Sequence, residues 1–569
     1  MIVSIVITKK HNLVSTFIFF TPFLLSVNSF KNMGLAADDF WRLPWVNSLK
    51  INQLIPAAID WIPGRNLQIF WVKISTTLFG IENEDIWKYH LLGLALLGFI
   101  GLLFFRILIL MKIESNIALL SSMLLIFWPT HSETTFWIEQ TIQVQLPIIF
   151  LLLWLIINIK FYDKKINFHN FLIIDFTLVF FILFTYDQVA FLIFLLILIR
   201  TFIFIKINIY KKIIFYFLPI LILNFWWLFL SLGSRNGGPE LKSFDLLKFE
   251  SFLGLWHHSF EINSRLVSSR FQPYGLHGYW PWDFYGILIF IIFFIMIFFL
   301  FFYLYNLNVS YEIKDINLKL LKYLNLIFYL SVLFFTLTFI LIAYRYYNIN
   351  YFNNGFPNRR LFYVLFGILL FVLSNILIER NKFVTSFFYL KYRLLLLIIF
   401  FWSYFPVYLW SISPRHNFLP SLIICVFIAY LLSGIMHSKF NVTLRNLFAF
   451  VIVFFISMLA VNFHYSARGY AQSWLLKEDL YNNMLSSIDL ESYNQKDSCW
   501  ITKNSPQEFM GFPLFVYETP ALGFNYYFKL DSVGECNPEL EYKNQYTLEF
   551  DLEKEYRTKF NYVISKVKL

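Results

Sequence analysis

Charge and cysteine are both scarce in this chain. Only 14% of its 569 residues are Asp, Glu, Lys or Arg, whereas 59% are hydrophobic. A soluble chain of this length would divide into several domains with far more charge, so that class is excluded. The sequence contains no Cys/His metal framework, no phosphate-binding loop and no dinucleotide fingerprint. It also lacks an internal repeat of solenoid period, and no nucleic-acid partner is expected. No signal-peptide cleavage site stands out, so the first apolar segment is expected to remain as a helix.

What is abundant is apolar sequence in runs of about 18 to 24 residues, long enough to cross a hydrocarbon layer of about 30 Å. The 72 phenylalanines, with the many Ile, Asn and Lys, fit an AT-rich genome and say little about chemistry. The reading is an all-α polytopic membrane protein. The first apolar run covers about 13–30. Further spans are expected at about 87–110, 116–130, 142–159, 171–185, 188–205 and 213–232, then at about 285–306, 321–344, 361–378, 394–411, 417–436 and 447–464. That makes about 13 transmembrane helices. Two long outer loops, about 31–85 and 233–284, interrupt them. Within the first, Leu67, Phe70, Trp71, Ile74 and Leu78 recur at helical spacing, with Arg65, Asn66, Lys73 and Thr76 between them. This is the pattern of a helix lying along a membrane surface.

Orientation follows from the loop charges. Loops with Arg106 and Lys112, with Lys160, Lys164 and Lys165, and with Lys206, Lys211 and Lys212 alternate with short loops at 129–140 and 186–188 that carry no Lys or Arg. Basic loops stay cytoplasmic, so the N-terminus lies inside and the C-terminal tail outside. Residues 1–464 form the membrane domain. Residues 465–569 are expected to be a small extracytoplasmic α/β or β-rich domain, with strand-like segments at Gly511–Tyr517 and Tyr546–Phe550. This tail holds 11 Lys/Arg against 15 Asp/Glu, which leaves 35 basic and 20 acidic residues in the membrane part. Cys425 sits in an apolar span and reads as a core residue. Cys499 and Cys536 both fall in the tail, where an outside location permits a disulfide without requiring one.

Four clusters of polar residues gather on the outer face. The first is Asp38-Asp39, just after the first apolar segment; either acid can serve as a general base or ligate a divalent cation, or simply begin a solvated loop. The second is Trp128-Pro129-Thr130-His131-Ser132-Glu133, followed by Trp137 and Glu139. The tryptophans suit an aromatic belt, which leaves His131 and Glu133 to be explained by a metal, a phosphate or a sugar hydroxyl. The third is Tyr186-Asp187-Gln188, a hairpin too short to leave the membrane surface; turn chemistry alone also accounts for it. The fourth is the outward basic set Arg345, Arg359, Arg360, Arg415 and His416. These run against the positive-inside trend, and guanidinium groups match phosphate oxygens. Ordinary lipid headgroups are the plainer partner. The remaining polar candidates, His257-His258 and the Gly233–Pro239 loop entry, specify no reaction.

Taken in order, these elements resemble the GT-C superfamily of integral-membrane glycosyltransferases. An acidic pair follows the first span, then come Gly64-Arg65-Asn66-Leu67 and Leu78-Phe79-Gly80, and His90 opens the second span. Pro129-Thr130-His131-Ser132-Glu133 is similar to a Pro-x-His-x-Glu turn of such enzymes, and Arg415-His416-Asn417-Phe418-Leu419-Pro420 to their Arg-x-x-x-Leu-Pro element. The likeness covers roughly the first 190 residues and this late piece. It implies a sugar donor on a polyprenyl phosphate or pyrophosphate, used from the extracytoplasmic side, and inverting transfer to a glycan, lipid or protein acceptor. On that implication Asp38 or Asp39 is the general base, with Asp39 favoured because it abuts Phe40-Trp41. His131, Glu133, Asp187, Arg359, Arg360, Arg415 and His416 would bind the donor. A divalent cation, if used, would be held by Asp38, Asp39 or Glu133. Membrane lipids are the surrounding partners, and the expected location is a bacterial cell (inner) membrane. The competing readings are a surface-polysaccharide polymerase or ligase using lipid-linked glycans, and a transporter or flippase. The rim position of the ionisable residues disfavours transport.

Overall fold

The computed structural model describes residues 12–35, 39–60, 65–128, 131–163, 165–204, 288, 291–297, 418–436, 442–488, 493, 498–505, 508–509, 512–513, 520–528, 536, 544–550 and 562–568. These are mostly helical. Among the described residues, four stretches are long and apolar enough to cross a membrane: Asn83–Leu110, Ile138–Tyr162, Phe168–Thr185 and Ala449–Ser487. The spans expected at about 213–232 and from 321 to 411, and the second outer loop, lie outside the described residues.

The first apolar run forms α1 (Asn12–Ser26). It packs along α5 (Trp87–Leu110), whose 24 residues extend about 36 Å, enough for one crossing. Small residues permit the close approach: a Cβ at Gly98 would collide with the Phe19 carbonyl. α6 (Ser115–Ile126) is buried on all sides, and its residues centre one continuous apolar core. α7 (His131–Phe136) is a short turn of helix, after which α8 (Ile138–Tyr162) begins. A π turn at Thr141–Gln145 interrupts the first part of α8. α9 (Phe168–Thr185) and α10 (Asp187–Phe204) form the next hairpin. Later come α11 (Phe418–Met436), which contains the buried free Cys425, and α12 (Val442–Ser487).

An ion pair lies inside the apolar layer. Arg200 of α10 donates to Asp175 of α9 at 2.5 Å and to Asn158 at 3.0 Å, and the Trp154 indole N–H reaches the same Asp175 oxygen at 2.7 Å. The guanidinium also sits over the rings of Trp154 and Phe171. Removal of either partner would strand a charge in a medium that cannot solvate it.

The described residues between α1 and α5 include three helices: α2 (Asp39–Ser48), α3 (Ile51–Asp60) and α4 (Asn66–Phe79). α4 buries Gln68, Ile69, Val72, Ser75 and Thr76 and leaves Ile74 and Leu78 exposed. The protein-facing stripe therefore runs one position off the apolar repeat read from the sequence. Together with exposed Ile51 and Ile55 of α3, the outward apolar residues give this loop a greasy surface.

α12 is one unbroken helix of 46 residues, about 69 Å long. A membrane crossing uses less than half of that. The boundary expected at 464/465 therefore falls inside a helix, and its last turns enter the tail's core. Leu480, Tyr481 and Met484 pack there with Trp500, Phe524, Tyr546 and Leu548. The tail sheet has β1 (Ser498–Lys503) parallel to β4 (Asn544–Phe550), which pairs antiparallel with β5 (Tyr562–Lys568). Tyr546, Leu548 and Phe550 alternate inward as a strand requires. Of the two segments read as strand-like, the later lies within β4. Of the earlier, the described residues are β3 (Phe512–Pro513), which pairs antiparallel with β2 (Glu508–Phe509). Helix Pro520–Phe528 covers the core. Cys499 and Cys536 are joined in a disulfide.

Candidate functional site

The first three polar clusters and the described end of the late motif meet at one end of the helical bundle, where the first outer loop covers the starts of α8 and α10. Asp39 is the hinge of this arrangement. Its carboxylate is fully buried and accepts the Glu139 N–H at 2.9 Å and the Ile138 N–H at 3.3 Å. The first amides of a helix have no partner within it. The residue at the head of α8 is Trp137, which has no side-chain acceptor to offer. The cap comes instead from a residue about a hundred positions earlier, with a charge sign that suits the positive end of the helix dipole.

One helical turn after Asp39, Arg42 pairs with Glu139, which also accepts from Gln143 and, at 2.9 Å, from Gln68 of α4. Glu139 is thus a buried carboxylate held by three side chains from three elements. It belongs to the π-interrupted head of α8, the type of irregular turn that recurs where side chains are aimed for function. The neighbouring Gln145 donates to the Thr134 carbonyl and to Thr135, both at 3.0 Å. These contacts tie the same turn to α7.

His131, in the turn between α6 and α8, lies flat on the Phe418 ring, with 3.7 Å between centroids. Its Nε2 is 2.8 Å from the Ser421 hydroxyl, which itself donates to the Phe418 carbonyl at 2.6 Å. Burial pushes the His131 pKa down to about 3, which keeps the ring neutral at ordinary pH. A neutral, stacked ring joins α7 to α11; it is not a cation waiting for phosphate. This contact links the Pro129–Glu133 turn to the Phe418 end of the late motif, 290 residues away.

Further elements are drawn to the same place. The His90 Nε2–H donates to the Gly34 carbonyl at 3.1 Å and anchors the segment at Met33–Leu35. Arg65 lies over the Tyr186 ring at 5.0 Å, and the Trp71 N–H reaches Thr185 at 3.2 Å, so the first loop grips the 186–188 hairpin. Trp128 and Trp137, read as belt residues, are only 9% and 2% exposed. They are packed inside the protein because the first loop covers the turn that carries them.

Of the expected site residues, Asp39 and His131 are brought to this end. Glu133 lies in α7 and Asp187 at the start of α10, though their side chains are outside the described residues. Asp38, Arg345, Arg359, Arg360, Arg415 and His416 lie outside them altogether. Two N–H donors from the head of α8 hold the Asp39 carboxylate in place. Among the described residues no three His, Cys, Asp or Glu side chains form a metal-binding group. Arg42, Gln68 and Gln143 were not singled out from the sequence. Only the spacing of Asp39 and Arg42, three apart on one helix, hinted that both face inward.

No protein-family model, curated protein or solved structure matches the chain.

Proposed function

We propose that the chain is an integral-membrane glycosyltransferase that moves a sugar from a polyprenyl-phosphate carrier to an acceptor at the outer face, with inversion. The observation that carries this reading is the convergence of separate motifs. Hydrogen bonds link Asp39 to the head of α8, His90 to the Gly34 carbonyl and His131 to Ser421 beside Phe418. Their order alone suggested the resemblance; their contact gives that order a physical purpose. The roughly thirteen-helix GT-C architecture belongs to the same proposal.

The contacts of Asp39 move the catalytic assignment within the acidic pair. A general base must have an oxygen free to reach the acceptor hydroxyl. Both Asp39 oxygens already accept an amide of α8, so of the pair we assign the base to Asp38 and a positioning role to Asp39. Asp38 takes the acceptor proton as the hydroxyl attacks the anomeric carbon, and the phosphate leaves from the opposite face. Arg415, with Arg359 or Arg360, balances the leaving charge. The test is transfer of labelled sugar from lipid carrier by Asp38→Asn in reconstituted membranes. Activity should fall at least about a hundredfold, within the usual range for loss of a general base. Full activity of that variant would remove the mechanism.

A further inference from the structure

The end of the bundle opposite the acidic turn carries two cations that the protein leaves without a counter-charge. α5 and α8 both begin beside the first outer loop and pack along each other, so their last residues lie together at the far end. Arg106, read from the sequence with a loop, sits inside α5, one turn before Leu110 and about 6 Å short of the helix end. Its side chain is partly buried, and its Nε is fully enclosed without a hydrogen-bond partner. Lys160, in the last turn of α8, is partly buried as well and is repelled by Arg106 and by Lys165. Among the described residues neither Arg106 nor Lys160 forms an ion pair. Two acids at this end are taken by other cations: Asp163 by Lys165 at 2.9 Å, and Asp175 by Arg200 at 2.5 Å.

Arg200 shows how this fold treats a cation that it keeps for itself. It is given a carboxylate, an amide oxygen and two ring faces. Arg106 and Lys160 have no such set among the described residues. Like charges held together away from bulk water are unfavourable unless an anion lies between them. We infer that Arg106 and Lys160 form a binding site for the headgroup of an anionic phospholipid in the leaflet that the basic loops face. Phosphate oxygens can accept from the guanidinium and the ammonium together, and basic pockets between membrane helices recognise such headgroups. Depth favours a lipid over free phosphate. Both cations stand on membrane-spanning helices, and Leu110 and the 62% exposed Tyr162 beside them offer apolar surface to an acyl chain. Orientation of the chain needs basic residues only in the loops; it does not call for a cation one turn inside a span and facing another. The inference rests on the membrane reading and is independent of glycosyl transfer.

The experiment is native mass spectrometry of the full chain in a non-ionic detergent, titrated with phosphatidylglycerol and with phosphatidylcholine of the same acyl chains. One phosphatidylglycerol should be retained about thirtyfold more tightly than phosphatidylcholine, at about fivefold for each basic residue. Arg106→Gln and Lys160→Gln should each remove about fivefold of that preference, whereas Arg106→Lys and Lys160→Arg should keep most of it. Lys165→Gln, at an exposed and already paired residue, should leave most of it. Thermal unfolding in lipid-free detergent separates a lost site from a lost fold. Removing one of two repelling charges should leave the unfolding temperature unchanged or raise it, and phosphatidylglycerol should stabilise the native chain but not the double variant. Equal retention of the two lipids overturns the inference, as does a preference that survives both Arg106→Gln and Lys160→Gln. A fall in unfolding temperature on either substitution in lipid-free detergent also overturns it, because the protein itself would then be satisfying the cation. Displacement of the lipid by millimolar inorganic phosphate would make this a free-phosphate site and reject the lipid.

Discussion

Asp39→Asn separates a structural carboxylate from a catalytic one. The native group has two acceptor oxygens, each taking one amide of α8. Asparagine keeps the shape but has one acceptor and one NH2 group. Whichever way the amide turns, either the Ile138 or the Glu139 N–H faces another donor at a buried position. An unsatisfied buried donor costs about 1–3 kcal/mol. At about 1.4 kcal/mol per factor of ten, the head of α8 should open roughly 5- to 150-fold more often. Hydrogen exchange read by mass spectrometry on a peptide spanning residues 137–146 measures that opening. Faster exchange should be confined to this peptide and to α7, which the π turn ties to it. Asp38→Asn should leave the exchange unchanged while abolishing transfer. An Asp39→Asn protein that exchanges at the native rate would refute the capping argument. If that same protein also lost transfer, Asp39 would return as the base.

Three other consequences follow from contacts far from that cap. His131 is neutral in the fold with its pKa near 3, whereas an unfolded histidine titrates near about 6.5. The unfolded state takes up the extra proton between those values, so this contribution to stability is whole above about 6.5 and falls away as pH drops toward about 3. By about pH 5 the loss should reach about 2 kcal/mol; inactivation rates in detergent at about pH 7.5 and 5 should show it, and His131→Gln should flatten the difference. Asp175→Asn should destabilise the α9–α10 hairpin by about 3–5 kcal/mol because Arg200 stays buried, while Asp175→Leu with Arg200→Met should recover most of the loss. Yield of folded protein after detergent extraction reports both. Reduction of the disulfide, or Cys499→Ser, should cost the tail about 3–4 kcal/mol for a sequence separation of 37 residues. The readout is protease sensitivity after Lys477, with the membrane helices unaffected.

The membrane-crossing helices were legible because their cause is local. An apolar run long enough to cross hydrocarbon must satisfy its backbone within itself, so α5, α8 and α9 appear within a few residues of the runs that announced them. The surface helix α4 was legible in extent but not in facing. Its apolar stripe at Ile74 and Leu78 points away from the protein, and the side it buries includes Gln68, Ser75 and Thr76. Polar side chains could turn inward there because Gln68 finds Glu139, and no local pattern encodes a partner 71 residues away.

The same limit explains the site. Asp39 looked like a free acid because its sequence neighbours offer it nothing, and His131 looked like a ligand for the same reason. Both are consumed by contacts with elements far along the chain: α8 for the first, Phe418 and Ser421 for the second. A polar residue at a membrane rim is conspicuous in sequence whether it meets substrate or holds two helices together. What distinguishes the cases is whether its hydrogen-bonding capacity is already spent. By that criterion Asp39 and His131 hold elements of the fold together: the head of α8 for the one, α11 for the other.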